Sequence, residues 1–223
     1  MIGVVVGLTG CDRAGEEPRA APVAAGTTAE RPTVVFLGTS LTAGYGLEPE
    51  EAYPALLQQK IDSAGLNYRV VNAGVSGETS AGARRRVDWL LREPVSVLVV
   101  ETGANDGLRG LPADSLRANI QAILDRAREL RPVPRVVLVG MRIPPNYGLA
   151  YSRQFERIYP ELANANGAEL VPFLLQDVGG VAALNQPDGV HPTAQGQRRM
   201  AETVWRVLEP VLREAEQARA ASS

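Results

Sequence analysis

Val34-Val35-Phe36-Leu37-Gly38-Thr39-Ser40-Leu41-Thr42-Ala43-Gly44-Tyr45-Gly46 is an apolar, partly β-branched run that breaks off at a small-residue turn, and the turn holds a serine. A short apolar run ending in Gly-x-Ser reads as a central strand that delivers a hydroxyl to the edge of a sheet. Open parallel sheets put their ligand crevices at the carboxyl ends of strands, so this reading sets Ser40 where chemistry is expected. A serine after a strand also serves as the N-cap of the next helix. The rest of the chain has to separate the two.

Outward from this stretch, strands and amphipathic helices alternate. Strands are expected at Thr33–Leu37, Tyr68–Asn72, Val95–Glu101, Arg135–Gly140 and Glu169–Pro172. Helices are expected at Tyr53–Ala64, Ala83–Arg92, Ser115–Arg131 and Tyr151–Asn166, with Gly65 and Gly167 just past two of their ends. Thr193 is placed to cap a last helix through Trp205 and Leu208, which Pro210 should kink or end. Val97-Leu98-Val99-Val100 and Val136-Val137-Leu138-Val139 are continuously apolar, as parallel strands covered on both faces are. The alternation implies one α/β domain over 33–223, a three-layer α/β/α sandwich around a five-stranded parallel sheet.

At 223 residues the chain can bury one good core. A hydrophobic content of 45%, a charged content of 22% and a net charge of −2 are those of an ordinary soluble domain. Arg84-Arg85-Arg86 is the one basic cluster and reads as a solvated helix face, so no nucleic-acid partner is expected. One Cys and one His cannot make an internal disulfide or a zinc cluster, and no metal or other cofactor is expected. Lys60 is the only lysine.

The first residues stand apart. Ile2 to Gly10 is apolar or small and ends in Leu8-Thr9-Gly10-Cys11, too short to span a bilayer but suited to the apolar part of an export signal. Residues 12–32 are rich in Ala, Pro, Glu, Gly and Thr, the composition of a flexible tether. Leu-Thr-Gly-Cys resembles the bacterial lipoprotein cleavage box, which implies Cys11 as a lipidation candidate and a periplasmic or membrane-anchored location. The positive residues of such a signal are missing before Cys11, and without a signal the protein is cytoplasmic.

His191 is the decisive residue for chemistry. A nucleophilic serine needs a base near neutral pH, and the chain has one imidazole. Asp188 precedes it by three positions, close enough to hold the far ring nitrogen and fix the tautomer. Asn105 and Gly77 meet the second need, hydrogen-bond donors for a developing oxyanion, since an Asn amide donates and glycine lets the main chain come close. Asn105-Asp106-Gly107 and Asp188-Gly189 also suit ordinary turns. No Gly-x-Ser-x-Gly elbow exists, because Thr42 and Glu78 stand where its second glycine would follow Ser40 and Ser76.

Four blocks, in order, resemble the SGNH (GDSL-type) hydrolase superfamily, closest to its thioesterase I, lysophospholipase L1 and arylesterase branch. They are Gly38-Thr39-Ser40-Leu41, the loop Asn72-Ala73-Gly74-Val75-Ser76-Gly77-Glu78-Thr79, Asn-Asp-Gly-Leu-Arg-Gly at 105–110 and Asp-Gly-Val-His-Pro at 188–192, with Ile-Pro-Pro-Asn-Tyr-Gly at 143–148 beside them. The resemblance implies a flavodoxin-like fold and a serine esterase acting on short- to medium-chain acyl esters or thioesters. It implies Ser40 as nucleophile, His191 as base and Asp188 as its partner. The Ser40 and Gly77 N–H groups and the Asn105 amide would be the oxyanion donors. The chain departs from the family at Thr39, where Gly-Asp-Ser-Leu has its Asp. Thr39 keeps a hydroxyl acceptor, loses a charge beside the nucleophile, and should alter rate or turn rigidity without ending catalysis.

Leu108, Leu111, Ile143, Pro144 and Tyr147 follow strand ends and are candidates to line an apolar acyl groove, or equally to pack under it. Three other readings share the pattern: a carbohydrate O-acetyl esterase, a non-catalytic lipid-anchored ligand carrier and a flavodoxin-type cofactor binder.

Overall fold

The structure is a computed structural model that describes residues 1–3 and 31–221. The Cys11 site and most of the tether lie outside the described residues. From Arg31 the chain forms one compact unit. Its strands are β1 (Thr33–Gly38), β2 (Arg69–Gly74), β3 (Val97–Glu101), β4 (Arg135–Val139) and β5 (Glu169–Val171). Its helices are α1 (Ser40–Ala43), α2 (Tyr53–Ser63), α3 (Ser80–Leu90), α4 (Ala104–Leu108), α5 (Ala113–Arg128), α6 (Leu149–Asn166) and α7 (Ala194–Ala220).

All strand pairs are parallel, in the order β2-β1-β3-β4-β5. Every residue of β3 is buried, whereas the edge strands β2 and β5 are part exposed, which follows from helices covering both faces of the middle strands. The chain leaves β1 toward β2 on one side and returns to β3 on the other. A crevice therefore opens beyond the carboxyl ends of β1 and β3. Ser40 follows the first of these and Asn105 the second.

The helices bury the stripes that their spacing requires. Leu116, Ile120, Ile123, Leu124 and Ala127 face inward on α5, and Phe155, Ile158, Tyr159 and Leu162 on α6. Two helix boundaries are set by packing. Of the kink or end expected at Pro210, the end does not occur: α7 continues through Pro210 to Ala220. Pro210 sits on the exposed side, so the carbonyl it frees faces water, while Val211 and Leu212 beyond it stay in the core. Burying those two side chains returns about 1.5–3 kcal/mol each, enough to offset the ~3 kcal/mol that an internal proline costs. α3 starts at Ser80, three residues before the expected start, because the Asp106 carboxylate accepts from the Ser80 N–H at 2.8 Å and the Ser80 hydroxyl at 2.6 Å. That cap comes from another loop, so no local signal carries it.

Candidate active site

β1 ends at Gly38, Thr39 is extended at φ −101°, and Ser40 opens the short α1. The tight turn leaves the Ser40 side chain 8% exposed, at the crevice. Gly38 cannot be larger: a Cβ there would stand 1.9 Å from the Thr42 hydroxyl oxygen.

His191 arrives on a separate loop, closed like a small hairpin. Asn185 and Pro192 form an antiparallel bridge, and the Gln186 N–H donates to His191 O at 2.7 Å. Pro187 and Asp188 occupy the centre of a turn in which the Gly189 N–H returns to Gln186 O at 2.9 Å, a position for which both residue types are suited. The result is a line of three side chains. His191 Nε2 lies 3.0 Å from Ser40 Oγ, and Nδ1 lies 2.7 Å from Asp188 Oδ2. Asp188 Oδ1 accepts the N–H groups of Val190 at 2.9 Å and His191 at 3.0 Å. These bonds, the His191 backbone N–H foremost, hold the Asp188 carboxyl at about 2, well below the usual carboxylate range. Asp188 is thus ionised wherever the neighbouring imidazole is to be oriented.

The donor side is built from two loops. Gly77 takes φ 76°, which a glycine adopts freely. Its carbonyl accepts from Arg109 Nη2 at 2.9 Å, and no acceptor for its N–H occurs among the described residues. Asn105 Nδ2 donates to Glu78 O at 3.0 Å, which uses one amide hydrogen and leaves the other. The Ser40 N–H, in the first turn of α1, has no intrahelical acceptor. Gly77 and its neighbours are held by side chains that the sequence reading passed over. Arg86 grips the Glu78 carboxylate bidentately, Nε donating to Oε1 and Nη2 to Oε2, each at 2.7 Å, and its Nη2 donates to Gly38 O at 3.1 Å. Arg86 is therefore not part of a solvated face. It joins the Ser40 turn to the Gly77 loop.

Thr39 also differs from expectation. Its hydroxyl donates to both oxygens of Glu101, at 3.0 and 2.9 Å, and its N–H donates to Glu101 Oε2 at 2.8 Å. Thr42 Oγ1 adds a bond at 2.8 Å. The charge missing at position 39 is met by a carboxylate reaching up from the end of β3, 1% exposed. The signal was legible: a lone acid ending a fully apolar strand is unusual in a core. Burial pushes the Glu101 carboxyl up, outweighing these hydrogen bonds. A raised folded value favours the fold below the unfolded value and loses that contribution as pH rises through it. The stability of wild type relative to E101Q should therefore fall as pH rises above the ordinary carboxylate value of about 4.5, read as converging or crossing melting temperatures.

A cavity of about 450 Å³ opens beside Ser40 and His191, lined by Leu108, Met141, Ile143, Pro144, Phe173 and Leu175 among others. Leu108, Ile143 and Pro144 thus line it as expected. Leu111 and Tyr147 do not: the Tyr147 hydroxyl donates to Leu108 O at 3.2 Å, bracing the wall from outside. A second concavity of about 680 Å³ lies between α2 and α7, lined by Lys60, Ser63, Arg198, Glu202 and Arg213; there the Ser63 hydroxyl donates to Gln59 O at 2.7 Å and Lys60 pairs with Glu202 at 2.6 Å. No group of three His, Cys, Asp or Glu side chains converges among the described residues.

Residues 36–199 match the GDSL-like Lipase/Acylhydrolase family model. Esterase TesA of Pseudomonas aeruginosa is 42% identical over 181 residues, 81% of this chain and 89% of its own length. Thioesterase 1/protease 1/lysophospholipase L1 of Escherichia coli K12 is 37% identical over 182 residues, 81% of this chain and 85% of its own. The crystal structure of TesA superimposes with a TM-score of 0.77 at 41% identity, covering 80% of this chain and 99% of that one. Sequence and fold agree, and this chain belongs to the GDSL-like lipase/acylhydrolase family.

Proposed function

We propose that the protein hydrolyses short- to medium-chain acyl esters and thioesters through Ser40, His191 and Asp188. His191 Nε2 takes the Ser40 proton as Oγ bonds to the acyl carbon, and the carbonyl electron pair moves onto oxygen. The Ser40 and Gly77 N–H groups and the free Asn105 amide hydrogen receive that oxyanion. Losing one such donor typically raises the barrier by about 3–4 kcal/mol. Collapse expels the alcohol or thiol, which leaves with the proton from His191. Water then enters, gives its proton to His191, and frees the acid and Ser40 by the same steps in reverse order. Asp188 stays ionised throughout and steadies the imidazolium.

The observation that carries the reading is the 3.0 Å contact between Ser40 Oγ and His191 Nε2 with Asp188 behind it. The apolar wall from Leu108 to Leu175 supports an acyl chain over an acetyl group on a sugar, since a carbohydrate site needs polar partners. A series of nitrophenyl esters from acetyl to decanoyl tests it. Turnover should rise from acetyl to about hexanoyl or octanoyl, and S40A should abolish it. A maximum at acetyl would favour the carbohydrate O-acetyl esterase reading. Retention of turnover in S40A would end the Ser40 mechanism.

A further inference from the structure

Gly44, at φ 73°, ends α1 by donating its N–H to Ser40 O, and the Tyr45 N–H reaches the same oxygen at 3.0 Å. The Tyr45 side chain then crosses to the other catalytic loop. Its ring centre lies 4.5 Å from that of the His191 imidazole, with 37° between the planes. Tyr45 is 52% exposed and does not line the acyl cavity, so core packing does not account for its place. Gln186 ties the same two loops from behind. Its Nε2 donates to Tyr45 O at 2.7 Å and Pro192 O at 3.0 Å, and its N–H to His191 O at 2.7 Å. A Cβ on Gly46 would stand 2.6 Å from the Gln186 carboxamide oxygen.

We infer that Tyr45 is a positioning residue for His191: its ring backs the imidazole, holds Nε2 toward Ser40 Oγ and favours the imidazolium through which both proton transfers pass. The inference rests on the hydrolase reading above. A single bond from Asp188 fixes one nitrogen of the ring and still lets the ring swing about that bond. A flat neighbour removes the swing. An aromatic face also attracts a cation more than a neutral ring, so the benefit is largest once His191 has taken the proton. The titratable and charged groups facing His191 are Asp188 on its own loop, Tyr45 from the α1 turn, and Arg142 across the cavity, whose charge is paired with Glu156 at 2.8 Å.

The test compares Y45L and Y45F with wild type and H191A, using hexanoyl nitrophenyl ester across a pH series. Leucine keeps apolar bulk without the aromatic face. Y45L should lower kcat about five- to tenfold with KM unchanged, and move the acid limb of kcat/KM about half a pH unit lower. Y45F should recover wild-type behaviour within about twofold. The inference is overturned if Y45L keeps the wild-type kcat and acid limb, if kcat falls while the limb stays in place, or if Y45F loses as much as Y45L. Turnover surviving in H191A would instead sink the hydrolase reading beneath it.

Discussion

Replacement of His191 by alanine is expected to lower kcat by roughly 10⁴-fold or more, with the melting temperature little changed. The chain has one imidazole, and it is the one within 3.0 Å of Ser40 Oγ. No lysine can substitute, because Lys60 is engaged with Glu202 at 2.6 Å on α2. Without a base, a serine hydroxyl at neutral pH is a poor nucleophile, and only the donors and binding energy remain. His191 sits in a surface hairpin held by backbone bonds, so removing its ring does not open the core. Ester turnover and labelling by an organophosphonate both check the result. Activity within tenfold of wild type would exclude His191 as the base.

D188N is expected to cost roughly 10³-fold in kcat near neutral pH. The reason lies in how the carboxylate is divided. Oδ1 serves the Val190 and His191 backbone N–H groups, while Oδ2 faces His191 Nδ1. An asparagine keeps its oxygen on the two N–H donors and turns its NH₂ toward Nδ1. The imidazole must then carry its proton on Nε2, where it cannot accept from Ser40. Geometry survives and the tautomer is wrong. Because Asp188 in the wild type holds its charge down to about 2, loss of activity at any higher pH does not come from protonation of Asp188. Any stability that Asp188 lends is present above the ordinary carboxylate value and lost as pH falls from there through about 2. An activity profile of D188N matching wild type would contradict this division of roles.

The two carboxylates near Ser40 show why part of the site was legible and part was not. Asp188 announces itself by spacing, three residues from His191 within one turn, and short-range spacing survives folding. Glu101 meets Thr39 across 62 positions, and only the pairing of β1 with β3 brings them together. Arg86 reads as one of three exposed arginines until the Gly77 loop folds over it and Glu78 takes its charge. Likewise Leu111 and Leu108 look alike in sequence, and the one that lines the cavity is decided by where the turn after α4 faces.

Periodicity alone determined the strand-helix alternation and the buried middle strands, because burial on one or two faces writes its repeat directly into residue order. Residue type alone determined that a histidine base for Ser40 could only be His191. What only the tertiary structure decided was contact between distant segments, with Tyr45 against His191, Asp106 capping α3 and Glu101 against Thr39, and the course of the last helix on through Pro210. Such contacts depend on the free energy of the whole packed chain, which no local window of sequence contains.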